Sequence, residues 1–110
     1  MKRLQVAVAA FGTQLFRNNV GTCRADDGRV VRFGLCKGSS DLIGWTPYVV
    51  QPRDVGRTLA VFTAVETKTA TGWVREEQEK FINRVRAAGG YACVAREGET
   101  AEQVLERMKA

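Results

Sequence analysis

The sequence predicts an α/β domain with a mixed central sheet flanked by helices, in the order α-β-β-β-β-α-β-α. Three observations predict it. A chain of 110 residues is long enough for one core, and 45% apolar with 26% charged residues is the balance of a globular domain. Short apolar runs bounded by turn residues fill most of the chain before Lys68, as strands do. Two stretches of helical period then flank one further strand. No repeat, linker or low-complexity tract divides the chain, so a single domain over residues 1–110 is expected.

Residues 3–11 suit a short helix that stops at Gly12. Gln14 to Val20 reads as a strand, with Gly21 as a turn. Asp26-Asp27-Gly28 is a strong turn signal, and the strand after it runs from Arg29 to Gly34. A loop over 35–40 precedes a strand from Asp41 to Trp45. Residues 46–58 hold both prolines and read as a loop. Leu59 to Lys68 is the central strand. Glu76 to Ala88 is helical and Gly89-Gly90 stops it. Val74, Phe81, Ile82 and Val85 form its apolar stripe, and Gln78 lies four residues from both Val74 and Ile82, inside that stripe. Tyr91 to Ala95 is the last strand. Thr100 to Met108 is the last helix, with a capping box from Thr100 to Gln103.

Composition excludes several kinds of chemistry. No apolar run reaches the roughly 18 residues of a membrane helix. The stretch after Met1-Lys2-Arg3 is broken by Gln5, Gly12 and Gln14, so no signal peptide is expected. Cys23, Cys36 and Cys93 form no CxxC pair, which argues against a zinc knuckle, and they are expected to stay reduced in a cytoplasm. The chain has no histidine, which removes histidine general bases, Ser-His-Asp triads and histidine-rich metal sites. A metal here must take oxygen ligands, which favours Mg²⁺ or Mn²⁺. The net charge of +5 suits a polyanion, and also serves plain solubility.

The segment Phe62-Thr-Ala-Val-Glu-Thr-Lys68 carries the sharpest chemical signal. Glu66 and Lys68 point to one face of a strand, about 7 Å apart along the backbone. An apolar strand does not bury two charges without a use for them. Gly38-Ser-Ser-Asp41-Leu-Ile-Gly44 sets a second carboxylate at a turn-to-strand junction. Without histidine, a nuclease activates water with a divalent metal, which needs convergent carboxylates. Asp41 and Glu66 are the candidate ligands, with the Thr67 backbone carbonyl completing them. Lys68 would orient water or offset charge on phosphate, and Gln78 would hold the site in place.

Each residue also has an ordinary reading: Asp41 as a turn residue, Glu66 and Lys68 as an ion pair at a solvated strand end, Gln78 as a satisfied core amide. Only the ordered set points to a nuclease. Arg17, Arg24, Arg29, Arg32 and Lys37 crowd the first strands, as a phosphate groove or as a charged sheet edge would. Arg17, Asn18, Asn19, Lys37, Ser39 and Ser40 are the candidate nucleic-acid contacts. Trp45, Tyr48 and Trp73 suit base stacking, a dimer surface or core packing.

Four motifs in order carry a family resemblance: Leu15-Phe-Arg-Asn-Asn-Val-Gly21, Gly38-Ser-Ser-Asp41-Leu-Ile-Gly44, Val65-Glu66-Thr-Lys68 and Glu77-Gln78-Glu-Lys-Phe81, followed by Ala88-Gly89-Gly90-Tyr91. Together they resemble the virus-type replication-repair nuclease domain, VRR-NUC, a branch of the PD-(D/E)xK superfamily. The resemblance implies a restriction-endonuclease-like core and Mg²⁺- or Mn²⁺-dependent cleavage of DNA. It implies metal ligands at Asp41 and Glu66, the catalytic lysine at Lys68 and the helix glutamine at Gln78. Its small standalone members imply a homodimer acting on branched DNA such as four-way (Holliday) junctions, in a bacterial or phage-infected cytoplasm. Three departures stand out. Ser40 replaces the name-giving proline, and Arg75 replaces the usual Ser or Thr helix cap. The family's first-helix glutamate is missing, Gln5 being the nearest residue to it. That last departure motivates an alternative, a non-catalytic DNA-binding or junction-recognition module on the same fold.

Overall fold

The computed structural model describes residues 2–110, which form two compact units, residues 2–48 and 49–110. The first unit begins with helix α1 (Lys2–Ala9), whose Gln5 Nε2 donates to Leu15 O at 3.0 Å. Strand β1 (Gln14–Arg17) pairs antiparallel with β4 (Leu42–Trp45), from Gln14 opposite Trp45 to Arg17 opposite Leu42. Phe16 and Trp45 pack as tilted rings 5.3 Å apart. Strand β2 (Gly21–Arg24) pairs antiparallel with β3 (Val30–Phe33). The expected Asp-Asp-Gly turn joins them: Gly28 N donates to Ala25 O at 2.9 Å, and the Asp27 carboxylate accepts from Arg29 N and Nε.

The expected strand from Gln14 to Val20 is corrected here. It ends at Arg17, and a separate strand starts at Gly21, where a turn was expected. The physical reason lies in the intervening asparagines and in Gly21 itself. Asn18 N makes one last bond, to Asp41 O, and its side chain turns into the loop over 35–40, where the chain leaves the ladder. Gly21 then faces Phe33, whose ring would lie 2.6 Å from any Cβ placed there. A bare Cα lets that ring close over the hairpin without shifting. The observed order therefore has five strands before the second helix rather than four.

In the second unit, Pro52–Asp54 forms a single 3-10 turn inside the expected loop. Its Asp54 is buried, accepting from Gln51 N at 2.9 Å and from Arg57 Nη1 at 2.6 Å. Strand β5 (Thr63–Lys68) pairs in parallel with β6 (Tyr91–Arg96), joined through helix α2 (Glu76–Ala87). Parallel neighbours need such a crossover. β5 starts four residues later than expected, because β6 cannot begin until Gly89-Gly90 has ended α2. The first bond across is Tyr91 N to Phe62 O. Helix α3 (Ala101–Lys109) packs on β6 and starts at the expected box: Gln103 N donates to Thr100 Oγ1, and Thr100 N to Gln103 Oε1. Ile82, Val85, Ala92, Cys93 and Met108 are the buried core.

The sheet also differs from the expectation of one mixed central sheet. Both strand orientations occur, in three two-stranded ladders among the described residues. β6 is closed on its outer side by side chains. Arg86 Nε donates to Ala92 O at 2.7 Å, Arg107 Nη1 to Val94 O at 2.6 Å, and Glu99 Oε1 accepts from Arg96 N. Charged side chains on backbone groups discourage further strand pairing there.

Candidate functional site

Alternation along β5 selects the site's face. Ala64, Glu66 and Lys68 are half-buried, while Thr63, Val65 and Thr67 are exposed. Glu66 Oε1 lies 3.6 Å from Lys68 Nζ, with the two side chains 34% and 17% exposed, so the pair is partly shielded from water. Phe62 O and Lys68 O accept from Tyr91 N and Glu97 N. Backbone groups of the even-numbered residues therefore turn toward β6, and those of the odd-numbered residues turn away. The Thr67 carbonyl points away from β6.

Helix α2 supplies the third side chain. Arg75 at its N-cap makes no side-chain cap bond, and Gln78 reaches back instead, its Oε1 accepting from Arg75 N at 3.0 Å. Nε2 of the same amide donates to Glu66 Oε1 at 2.7 Å. One amide thus starts the helix and anchors the carboxylate, and only this orientation suits a donor on one side and an acceptor on the other. Glu66 Oε1 takes both Gln78 and Lys68, while its Oε2 has no hydrogen bond among the described residues. A cavity of about 350 Å³, lined by Ala64, Glu66, Glu77, Gln78 and Phe81, opens beside it.

Asp41 belongs to the first unit, directly before β4. Its carbonyl accepts from Asn18 N at 2.7 Å, one bond beyond the β1–β4 ladder. The Asn18 side chain then orders the preceding loop. Its Nδ2 donates to Ser39 Oγ at 2.7 Å and Ser40 O at 2.9 Å, and its Oδ1 accepts from Leu35 N at 2.8 Å. Ser39 Oγ donates in turn to Cys36 O at 2.7 Å. The backbone of Asp41 is held by this network and its side chain is exposed. Arg17, Asn19, Lys37 and Ser40 are exposed, whereas Asn18 and Ser39 are half-buried and engaged within the loop.

The structure therefore brings together Glu66, Lys68 and Gln78. Arg96 was missing from the sequence reading. It stands opposite Lys68 in the ladder and donates from Nη1 to Thr69 O at 3.1 Å and Gly72 O at 2.7 Å, bracing the turn after the lysine. Nothing in the sequence marks a residue so far along the chain for that role. The buried Asp54 did leave a signal, a proline at the first position of its turn with an acid two residues on.

No group of three or more His, Cys, Asp or Glu side chains gathers among the described residues. The oxygens that β5 offers next to Lys68 in sequence are the second Glu66 carboxylate oxygen and the Thr67 carbonyl. A sparse set of hard oxygens fits a magnesium-type ion, which keeps several waters and takes one or two carboxylates, and does not fit zinc.

The family model for the VRR-NUC domain matches residues 4–97. The chain belongs to the VRR-NUC family. It is thereby a member of a nuclease family, as the four motifs implied. The match runs through both units of this VRR-NUC chain, from α1 to the end of β6, and includes Asp41, Glu66, Lys68 and Gln78. Helix α3 lies beyond it. Comparisons with curated proteins and with solved structures give no match. Among the described residues, no helix is long and apolar enough to cross a membrane.

Proposed function

We propose that the chain is a Mg²⁺- or Mn²⁺-dependent, structure-selective DNA endonuclease, acting as a homodimer on branched DNA such as four-way junctions. The observation that carries this reading is the Glu66–Lys68–Gln78 arrangement, with one carboxylate oxygen anchored and the other free. Glu66 and the Thr67 carbonyl would hold the ion on the second unit, and Asp41 is the further ligand that the family motifs imply. When bound, a divalent ion acidifies water and offsets the charge of phosphate.

The protein's own groups divide the remaining work. Gln78 fixes Glu66 in one rotamer, so the carboxylate need not be ordered during the reaction. The Lys68 ammonium orients the attacking water and donates to the phosphate oxygens, whose negative charge grows as phosphorus is attacked. Arg17, Asn19, Lys37 and Ser40 offer positive charge and donors to the phosphate backbone. Asn18 and Ser39 contribute by shaping the loop before Asp41. A two-fold dimer suits a junction, which offers two symmetric cuts.

A second reading, a non-catalytic junction-binding module, is favoured by one observation. Helix α1 has no acid in its first turn, and the nitrogen of its Gln5 is spent on the Leu15 carbonyl. One experiment separates the two. A labelled four-way junction is incubated beside linear duplex and single strands, with Mg²⁺, Mn²⁺ or EDTA, using wild type and Lys68→Ala. The nuclease reading expects metal-dependent cutting that prefers the junction and falls at least about 100-fold in the variant. Tight junction binding without cutting under any metal would overturn it in favour of the module.

A further inference from the structure

The turn after Lys68 is braced, and it ends in an exposed indole. Gly72 N donates to Thr69 O at 3.3 Å, and Arg96 holds both Thr69 O and Gly72 O. Gly72 lies against the lysine: a Cβ there would be 3.6 Å from Lys68 Cβ and 2.9 Å from Thr69 Oγ1. The next residue, Trp73, is 90% exposed. Trp45, by contrast, is half-buried against Phe16. A tryptophan left in water on a rigid support forgoes most of its burial energy, which points to a partner for its face.

We infer that Trp73 stacks on an unpaired nucleobase of the DNA held at Lys68, such as a base displaced at a branch point. The inference deepens the nuclease reading and rests on it for the identity of the partner. The surroundings favour a nucleic acid over a second copy of the chain. Its chain neighbours Thr71, Arg75 and Glu76 are exposed and polar, as the flanks of a nucleic-acid contact are. Lys68, Arg75 and Arg96 supply positive charge, and Glu76 is paired with Lys80 at 3.0 Å. A flat apolar face among cations is the recurring platform for single-stranded bases. Paired bases within a duplex keep their faces covered, so this contact discriminates branched or frayed DNA from linear duplex.

The test uses the full chain in EDTA, so that binding is read without cleavage. In a Trp45→Phe background Trp73 is the only indole, and its emission is followed on adding a four-way junction, a single strand or a blunt duplex. The expected result is quenching by the junction and the single strand and little by the duplex. In the otherwise wild-type chain, Trp73→Phe should remove the DNA-induced quench. Trp73→Ala should weaken junction and single-strand binding about tenfold while leaving duplex binding within about twofold. Junction binding without quenching would overturn the inference, as would equal weakening on duplex. Quenching that follows protein concentration without DNA would overturn it too, assigning Trp73 to a contact between copies. Quenching by a junction that is never cut with metal would sustain the stacking and sink the nuclease reading alone. Absence of any DNA binding would end both.

Discussion

The two units each carry a candidate catalytic carboxylate but hold it by different means. Every buried apolar residue among the described residues (Ile82, Val85, Ala92, Cys93 and Met108) belongs to the second unit, on α2, α3 and the strand paired with the one that presents Glu66 and Lys68. The first unit contributes none, and its Phe11, Val30 and Phe33 are exposed. Its order comes from two short ladders and from Asn18, which organises the loop before Asp41. Burial is non-directional and shared over many contacts, whereas a hydrogen-bonded loop depends on a few aimed groups. Lys68 should therefore respond to changes in the packing of its unit, and Asp41 to the loss of single polar atoms in its own.

The largest expected effect tests the one polar anchor on the packed side. Gln78→Glu keeps an acceptor for Arg75 N but replaces the donor to Glu66 with a like charge. Cleavage should fall about 100-fold at neutral pH, with thermal stability nearly unchanged. Cleavage at the wild-type rate would refute the anchoring role of the amide.

Next comes packing itself. Val85 is 1% exposed, and Val85→Ala should cost about 2 kcal/mol by urea denaturation. The same change at Val30, 62% exposed in the first unit, should stay within about 0.5 kcal/mol. Equal costs at the two positions would erase the contrast between the units.

Asn18→Ala addresses the other side. It removes the side-chain bonds to Ser39, Ser40 and Leu35, and hydrogen exchange should rise across residues 35–41 but not in β5 or β6. Cleavage should drop about tenfold as Asp41 loses its setting. Unchanged exchange in that loop would show that the network is dispensable.

The smallest effect concerns helix α3, which lies beyond the family match. Arg107 pairs with Glu99, and its hydrogen bond, with a further one from Arg96 N, holds the Glu99 carboxyl down to about 2 from 4.5. A depressed carboxyl stabilises the fold above its unfolded value and loses that contribution as pH falls toward its folded one. Attachment of α3 should weaken between about pH 4.5 and 2, read as helix protection in hydrogen exchange. Glu99→Gln should flatten that dependence and leave neutral-pH cleavage unchanged.

Much of the site was legible in the sequence. Glu66-Thr-Lys68 on an apolar strand, and Gln78 inside a helical stripe, depend only on the two-residue and 3.6-residue periods. Those periods place side chains on faces whatever the rest of the chain does. The Asp26-Asp27-Gly28 turn and the Thr100–Gln103 box were equally local and held. Family membership was legible too, because it rests on motifs in order and not on distances.

What only the tertiary structure decided were relations between distant residues. Asn18 left its strand because acceptors and donors over 35–40 were within reach, and that cut one predicted strand into two. β5 was shorter than its apolar run because a parallel strand extends only as far as its partner does. Gln78 proved to be both helix cap and anchor because its amide sits between Arg75 N and Glu66, a meeting that spacing along one chain cannot specify. Arg96 braced the turn beside Lys68 from 24 and 27 residues away. Periodicity determines which face a side chain takes; which partner it finds there depends on the packing of elements that the local sequence does not contain.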